Sequence, residues 1–444
     1  MIVLLHIVDM TAGDTFALNK YARDSFQSTI LYSIITLTSL IIQAFLLLFS
    51  IRISFRIKKT TSTISVLARY LYVISHVMVI VSIIYLLGEQ LLSNMYQTIL
   101  VELIVGVSLI TSFFIIISLA ITIFKSLLSK RSKIVILYGM AMIAIAVQLI
   151  FAFFYIQVSL SNKPEIITPD RNPWVSYFYK NLQSKLFSIY EVIESLSFII
   201  VWIASIVLTK QYSHKLGKIK YWITVSIPLI YFLFQYSPLL LEQIGTLSYL
   251  LLSEGSLFYY FYNFVLNTVN VGTGILFGIS FYILSRSIAN NQLKYYLIVC
   301  ATGIMILFSS GISTILTLAP YPAWAIVSLS FILPASFLLL IGLDSATYYI
   351  ATDTLLRRFL YKHQEQFELF QALGSAKSTE MIEQKMNDMI RKQLNNLEIE
   401  TMFKPILEIE DTKIYLSKVI TEMKKSNSEF DNTQKNDFFD QPTE

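Results

Sequence analysis

STILYSIITLTSLIIQAFLLLFSIRISFRIKK, residues 28 to 59, sets the terms on which this chain can fold. From 28 to 51 it carries no charged side chain, and at about 1.5 Å of rise per helical residue it is long enough to cross a hydrocarbon core of about 30 Å. It then meets Arg52, Arg56, Lys58 and Lys59. Clusters of this kind beside a span stay on the cytoplasmic side of a bilayer. The same pattern recurs at roughly 66 to 88, 98 to 124, 134 to 158, 186 to 209, 221 to 241, 257 to 285, 295 to 318 and 323 to 343. The expected fold is therefore all-α, a polytopic bundle of about nine transmembrane helices with a small cytoplasmic helical C-terminal tail.

Composition points the same way. The chain is 55% hydrophobic and only 14% charged, against roughly 25% charged residues in a soluble domain. Its net charge of +5 is no footprint of nucleic-acid binding, because the basic residues sit in short clusters next to apolar runs. The lone Cys300 excludes an intramolecular disulfide and a cysteine metal cluster. The opening MIVLLHIVDM lacks a basic leader and is interrupted by His6 and Asp9, so a cleaved signal peptide is not expected.

Topology follows from the loops. Lys125, Lys130, Arg131 and Lys133 lie between the third and fourth spans, and Lys210, Lys215, Lys218 and Lys220 between the fifth and sixth. Segments 89 to 97, 242 to 256 and 319 to 322 hold no lysine or arginine. The positive-inside rule then places the N-terminus outside and the C-terminus in the cytoplasm, at a cell membrane. Trp174, Tyr177, Tyr179, Tyr221, Trp222, Tyr321 and Trp324 fall where spans should meet headgroups. The sixth span is the least regular, since Pro228 and Pro238 imply kinks, and eight or ten spans are the alternatives.

Residues 1–27 are read as an extracytoplasmic N-terminal segment, 28–345 as the transmembrane bundle, 346–425 as a cytoplasmic helical region and 426–444 as a disordered tail. In the cytoplasmic region Leu356, Leu360, Phe367 and Phe370 share one face, and the last span is expected to continue unbroken as far as Gly374. A second amphipathic helix is expected at 379 to 398, with Ile382, Met386, Met389, Ile390 and Leu397 on its apolar side, and a third at 412 to 425.

Ionisable groups within hydrocarbon are costly and therefore informative. Glu102 lies near the outer end of the third span, Glu191 and Glu194 in the outer part of the fifth, and Glu89 and Glu242 just beyond the second and sixth. Glu191 and Glu194 are three apart, so both carboxylates share a helix face and could share a proton or hold a cation; outer-leaflet snorkelling is the bland alternative. His76 is read as the deepest ionisable group, a packing residue in the first instance and a proton relay or ligand in the second. With His6, His214 and His363 outside the spans, it has no histidine partner for a haem. The seventh span carries Asn263, Asn267, Asn270, Gly274 and Gly278 at spacings of three and four, a polar and small seam for helix packing that ends in a GxxxG pattern. Gly303, Ser310 and Thr314 offer a complementary seam on the eighth.

None of the nucleotide-binding, zinc-protease, serine-hydrolase or paired-cysteine motifs occurs. No catalytic residue, metal ligand or cofactor is assigned, and no enzyme is expected. The expected function is that of a membrane sensor or signalling subunit, passing an outer-side signal to a cytoplasmic protein partner through residues 350–425. A small-solute or ion transporter and a structural subunit of a membrane complex are the alternatives. The other partner is the lipid bilayer; nucleic acid is not expected, and the oligomeric state is open.

Overall fold

A computed structural model of the chain describes residues 1–18, 26–56, 63–93, 97–127, 132–161, 173–210, 217–234, 274–275, 277–286, 288, 290–310, 323–362 and 364–401. Every regular element among these residues is a helix. In chain order they are α1 (Ile2–Leu18), α2 (Phe26–Arg56), α3 (Thr63–Ser93), α4 (Thr98–Leu127), α5 (Lys133–Ser161), α6 (Pro173–Lys210), α7 (Lys218–Phe234), α8 (Asn291–Ser309), α9 (Ile326–Ser330), α10 (Ile332–Thr352), α11 (Thr354–Lys362) and α12 (Gln364–Thr401). Residues 277–286 are helical as well.

Seven segments of the described residues are long and apolar enough to cross a membrane; they lie in α2 to α6, in α8, and in α9 with α10. The expected count of nine is therefore not confirmed among the described residues. The sixth expected span is represented by the 17 residues of α7, and most of the seventh lies outside the described residues.

α2 shows what solvent the bundle is built for. Its outward residues Ile34, Leu37, Ile41, Phe45 and Leu48 are between 52% and 70% exposed, while Ser28, Thr36, Ser39, Gln43 and Ser50 are wholly buried. In water this arrangement is inside out, because large aliphatic groups stay wet while hydroxyls and an amide are desolvated. In lipid it is favourable, since the aliphatic face costs nothing and the polar groups find partners in protein.

Consecutive helices from α2 to α6 pack on one another in order, and α10 fills the space against α2, α3, α4 and α8. The segment Ile326–Thr352 is buried over its whole most apolar stretch, which makes it the central element. Glycines let it sit close to α8. A side chain at Gly303 would meet the Leu339 amide nitrogen at 2.6 Å, and one at Gly342 would meet the Cys300 nitrogen at 2.7 Å. Gly303 thus faces α10, not the seventh-span glycines it was expected to complement. Gly274 and Gly278 lie instead against Met305, Ser309 and Ala301 of α8.

At the lysine-rich end the last span does not run unbroken into the following helices. Asp353 adopts an extended conformation after Thr352, and its carboxylate accepts from the Leu356 amide at 3.0 Å, which starts α11 as a new helix. Gly374 does not stop α12 either; the bend is at Phe367, and at Gly374 the missing side chain makes room for Ile350 of α10. Leu356, Leu360, Phe367 and Phe370 are all buried, as their common face predicts. Ser132 donates to Glu368 at 2.8 Å, and Arg357 to Ser378 at 2.7 Å. One compact unit extends from Met1 to Ser378, and a second runs from Thr379 to Glu444. In the second, Ile382 and Met389 are exposed. The third amphipathic helix and the tail lie outside the described residues.

Candidate functional site

The groups that carry the polar interior converge on the central helix from three neighbours. At the end opposite the lysines, α1 packs against α2, α8 and α9. His6 and Asp9, three residues apart and so on one face of α1, are both fully buried. The Asp9 carboxylate accepts from the Ala325 and Ser328 amides at 3.3 and 3.2 Å and from the Ser328 hydroxyl at 2.8 Å. These are the free N–H groups at the start of α9, which the segment itself leaves uncapped after the left-handed Ala325. A side chain from the far end of the sequence thus caps the last span. His6 pairs with the Ser310 hydroxyl at 3.0 Å and meets Phe331 edge-on, with ring centroids 5.3 Å apart. α1 is not among the seven spans. Burial pushes the Asp9 carboxyl up to about 6 against the downward pull of its three hydrogen bonds, and pushes the His6 imidazole down to about 3.

Deeper in, Gln43 of α2 donates to Ser330 at 2.6 Å and to Ser39 at 3.2 Å. The Tyr72 hydroxyl donates to Ser50 at 3.3 Å and lies 2.6 Å from His76 Nδ1. Among the described residues the other ring nitrogen, Nε2, is buried with no hydrogen-bond partner. The Tyr72 ring stacks on Phe337 of α10 at 3.8 Å. Thr111 of α4 donates to Ser75 at 3.0 Å. Nearest the lysine-rich end, Arg69 of α3 faces Asp344 of α10 at 3.7 Å, with side chains only 12% and 9% exposed. A charge pair this enclosed is held by mutual compensation, since either partner alone would be a buried ion.

The expected site residues fare differently. His76 belongs to this array. Glu102 is half-buried, and its backbone carbonyl accepts from Gln157 at 3.3 Å. Glu191 is exposed, whereas Glu194 is half-buried one turn from the fully buried Tyr190; the structure does not bring Glu102 together with this pair. Glu89 accepts from the Gln97 amide at 3.0 Å, where the chain enters α4. Gly274 and Gly278 pack on α8 as described, and Asn263, Asn267, Asn270 and Glu242 lie outside the described residues. Trp324, placed at the headgroups by its sequence position, is fully buried edge-on to Tyr32 at 5.4 Å, so it is an interior residue.

Sequence reading missed Arg69, Asp344, Asp9, His6 and Gln43. The signals were present. Arg69 interrupts the second apolar run, Asp344 directly follows the ninth, and Ser28, Tyr32, Thr36, Ser39, Gln43 and Ser50 recur at helical spacing along the first. Among the described residues no three histidine, cysteine or acidic side chains converge as a metal site would require. Comparison with family models, curated proteins and solved structures gives no match.

Proposed function

We propose that the protein is a membrane sensor or signalling subunit in which the last span is the transmitting element. The observation that carries this reading is the enclosure of Ile326–Thr352 together with what holds its two ends. At one end it is capped by Asp9 of α1. At the other, Asp344 faces Arg69, and Ile350 lies under α12 at Gly374. A buried helix cannot shift without breaking discrete contacts, so a displacement at α1 passes to α11 and α12 instead of dissipating into lipid. In this reading α1 lies on the outer side, the lysine-rich end in the cytoplasm, and residues beyond Ser378 meet a protein partner.

Hydrogen exchange on the full chain tests the transmission. Asp9→Ala should raise exchange in residues 354 to 374 as well as in α1. An effect confined to α1 and α9 would refute it. Removing 379 to 444, which spares the Arg357–Ser378 bond, should leave membrane insertion intact and abolish capture of the partner.

A second reading, a transporter for a proton or small solute, draws on buried polar atoms with no hydrogen-bond partner, Gln43 Oε1 and His76 Nε2 among them. Unmet polar groups inside hydrocarbon cost free energy unless water or a solute reaches them. His76→Ala in reconstituted vesicles should change proton flux if this reading holds, and leave it at the background of empty vesicles if it does not.

A further inference from the structure

α11 has nine residues, TLLRRFLYK, and begins two positions after the last span ends. Consecutive Cα atoms are about 3.8 Å apart, so its start lies within about 8 Å of the end of the hydrocarbon-crossing segment, at the depth of the headgroups. Its inner face is settled, because Leu356 and Leu360 are buried in the unit that holds the bundle. Its outer face is unusual for a surface. Leu355 is 74% exposed, Tyr361 53% and Phe359 39%, and Arg358 and Lys362 are exposed beside them. At about 100° per residue, Leu355, Arg358, Phe359 and Lys362 fall within roughly 100° of the circumference. This arc carries two cations and no acid, next to two large apolar side chains.

Facing water, that arc would leave Leu355 and the outer part of Phe359 exposed, the Phe359 ring lying on its other side against Phe367 with centroids 6.1 Å apart. Facing a bilayer edge, each residue type has its place: apolar groups below the headgroups, cations at the phosphates. We propose that α11 lies in the membrane interface and binds anionic phospholipid headgroups through Arg358 and Lys362, with Leu355 and Phe359 inserted among the acyl chains. Because Leu356 and Leu360 tie the same helix to the bundle, the site reads lipid charge at the foot of the central span.

The test uses the full-length chain in nanodiscs of phosphatidylcholine alone and of phosphatidylcholine with phosphatidylglycerol at three to one. A nitroxide is placed by Leu355→Cys in a Cys300→Ala background, and its collisions with oxygen and with a water-soluble nickel chelate report depth. The label should sit below the headgroups in anionic discs and shallower in neutral ones. Arg358→Gln with Lys362→Gln should return it to the neutral-disc depth. Phosphatidylglycerol retained per chain, counted by native mass spectrometry, should weaken roughly fivefold for each cation removed. Millimolar inorganic phosphate should not compete. A label in bulk water in both disc types, equal depth in both, or lipid retention untouched by the double variant would each overturn the proposal, the first pointing to a soluble protein as occupant of the face.

Discussion

Alanine at Gly303 or Gly342 should be harmful in a way that alanine at Gly88 is not. At Gly303 the new Cβ would lie 2.6 Å from the Leu339 nitrogen and 3.0 Å from the Ala335 oxygen; at Gly342, 2.7 Å from the Cys300 nitrogen and 3.0 Å from the Tyr296 oxygen. An ordinary contact begins at 3.4 Å. The obstructing atoms are backbone, so no rotamer change relieves them, and α8 and α10 must move apart by most of an ångström. Overpacking of that kind costs about 1–3 kcal/mol, partly offset by the gain of up to about 1 kcal/mol from replacing glycine in a helix. Because the obstruction is backbone at both sites, the upper half of that range applies, and a net loss of about 1–2 kcal/mol per site follows. Gly88 has nothing within 4 Å of its would-be Cβ, so only the helix gain remains. The assay is unfolding of the purified chain by dodecyl sulfate in mixed micelles, followed by loss of helical circular dichroism, with thermal midpoints as a check. Lower midpoints for Gly303→Ala and Gly342→Ala, with an unchanged or higher one for Gly88→Ala, are expected. If all three move together, or if the two at the α8–α10 contact are neutral, the close approach of these helices is wrong and α10 is not clamped as described.

Removing one partner of the Arg69–Asp344 pair should cost about 3 kcal/mol, and Asp344→Asn should cost more than the paired change Arg69→Leu with Asp344→Leu, which removes both charges from the interior; a double-mutant cycle in the same micelles measures both. Docking of α1 should respond to acid through two opposing groups. Asp9, raised to about 6, contributes stability that is full below its ordinary 3.8 and lost as pH rises through 6; His6, lowered to about 3, contributes stability present above its ordinary 6.5 and lost as pH falls toward 3. Wild type should therefore show a flat midpoint between about pH 4 and 6, whereas Asp9→Asn should lose stability steadily on acidification through the same window, and parallel profiles for the two would contradict the buried pair. Gln43→Leu removes the donor to Ser330 and should destabilise by about 1 kcal/mol, the net worth of a buried neutral hydrogen bond, read from the same unfolding curves.

The spans were legible because hydrophobic length is a one-dimensional signal: α2 to α5 begin and end within a few residues of the apolar runs, whereas α6 starts 13 residues before its run, at Pro173 and not 186, and the last span ends 9 residues after its own, at Thr352 and not 343. The α11 and α12 face was legible too, since Leu356, Leu360, Phe367 and Phe370 are set by helical period alone. Partner identity was not. Asp9 is joined to Ser328, and Arg69 to Asp344, across most of the chain, and neither spacing nor propensity links such residues. Glu191 and Glu194 stood out in the sequence because they lie inside an apolar run three residues apart, on one helix face. In the structure depth along a span matters less than direction around it. Glu191 points outward and is exposed, whereas Asp344, just past the end of an apolar run, points into the bundle. Trp324 was misplaced for the same reason, its position along the chain suiting a headgroup anchor while its direction is toward Tyr32.

Direction around the helix also explains why the central span is apolar on every side and yet polar at both ends. With protein on all faces it gains nothing from a polar stripe, so its interior residues are Leu, Ile, Phe and Ala, and close packing against Gly303 and across Gly342 supplies its cohesion. Lipid, however, gives no hydrophobic reason for one apolar helix to stay at a given height among others, because sliding by a turn exchanges one greasy contact for another. Height must be fixed by groups that have only one acceptable partner. Asp9 on the first amides of α9, Gln43 on Ser330, and Arg69 on Asp344 are such groups, each from a different neighbour and each at a different depth. Removing one should already raise exchange at the far end, and removing those at both ends should free the helix to move along its axis, which makes Asp9→Ala combined with Asp344→Asn the variant in which exchange at residues 354 to 374 rises beyond the sum of the two single effects.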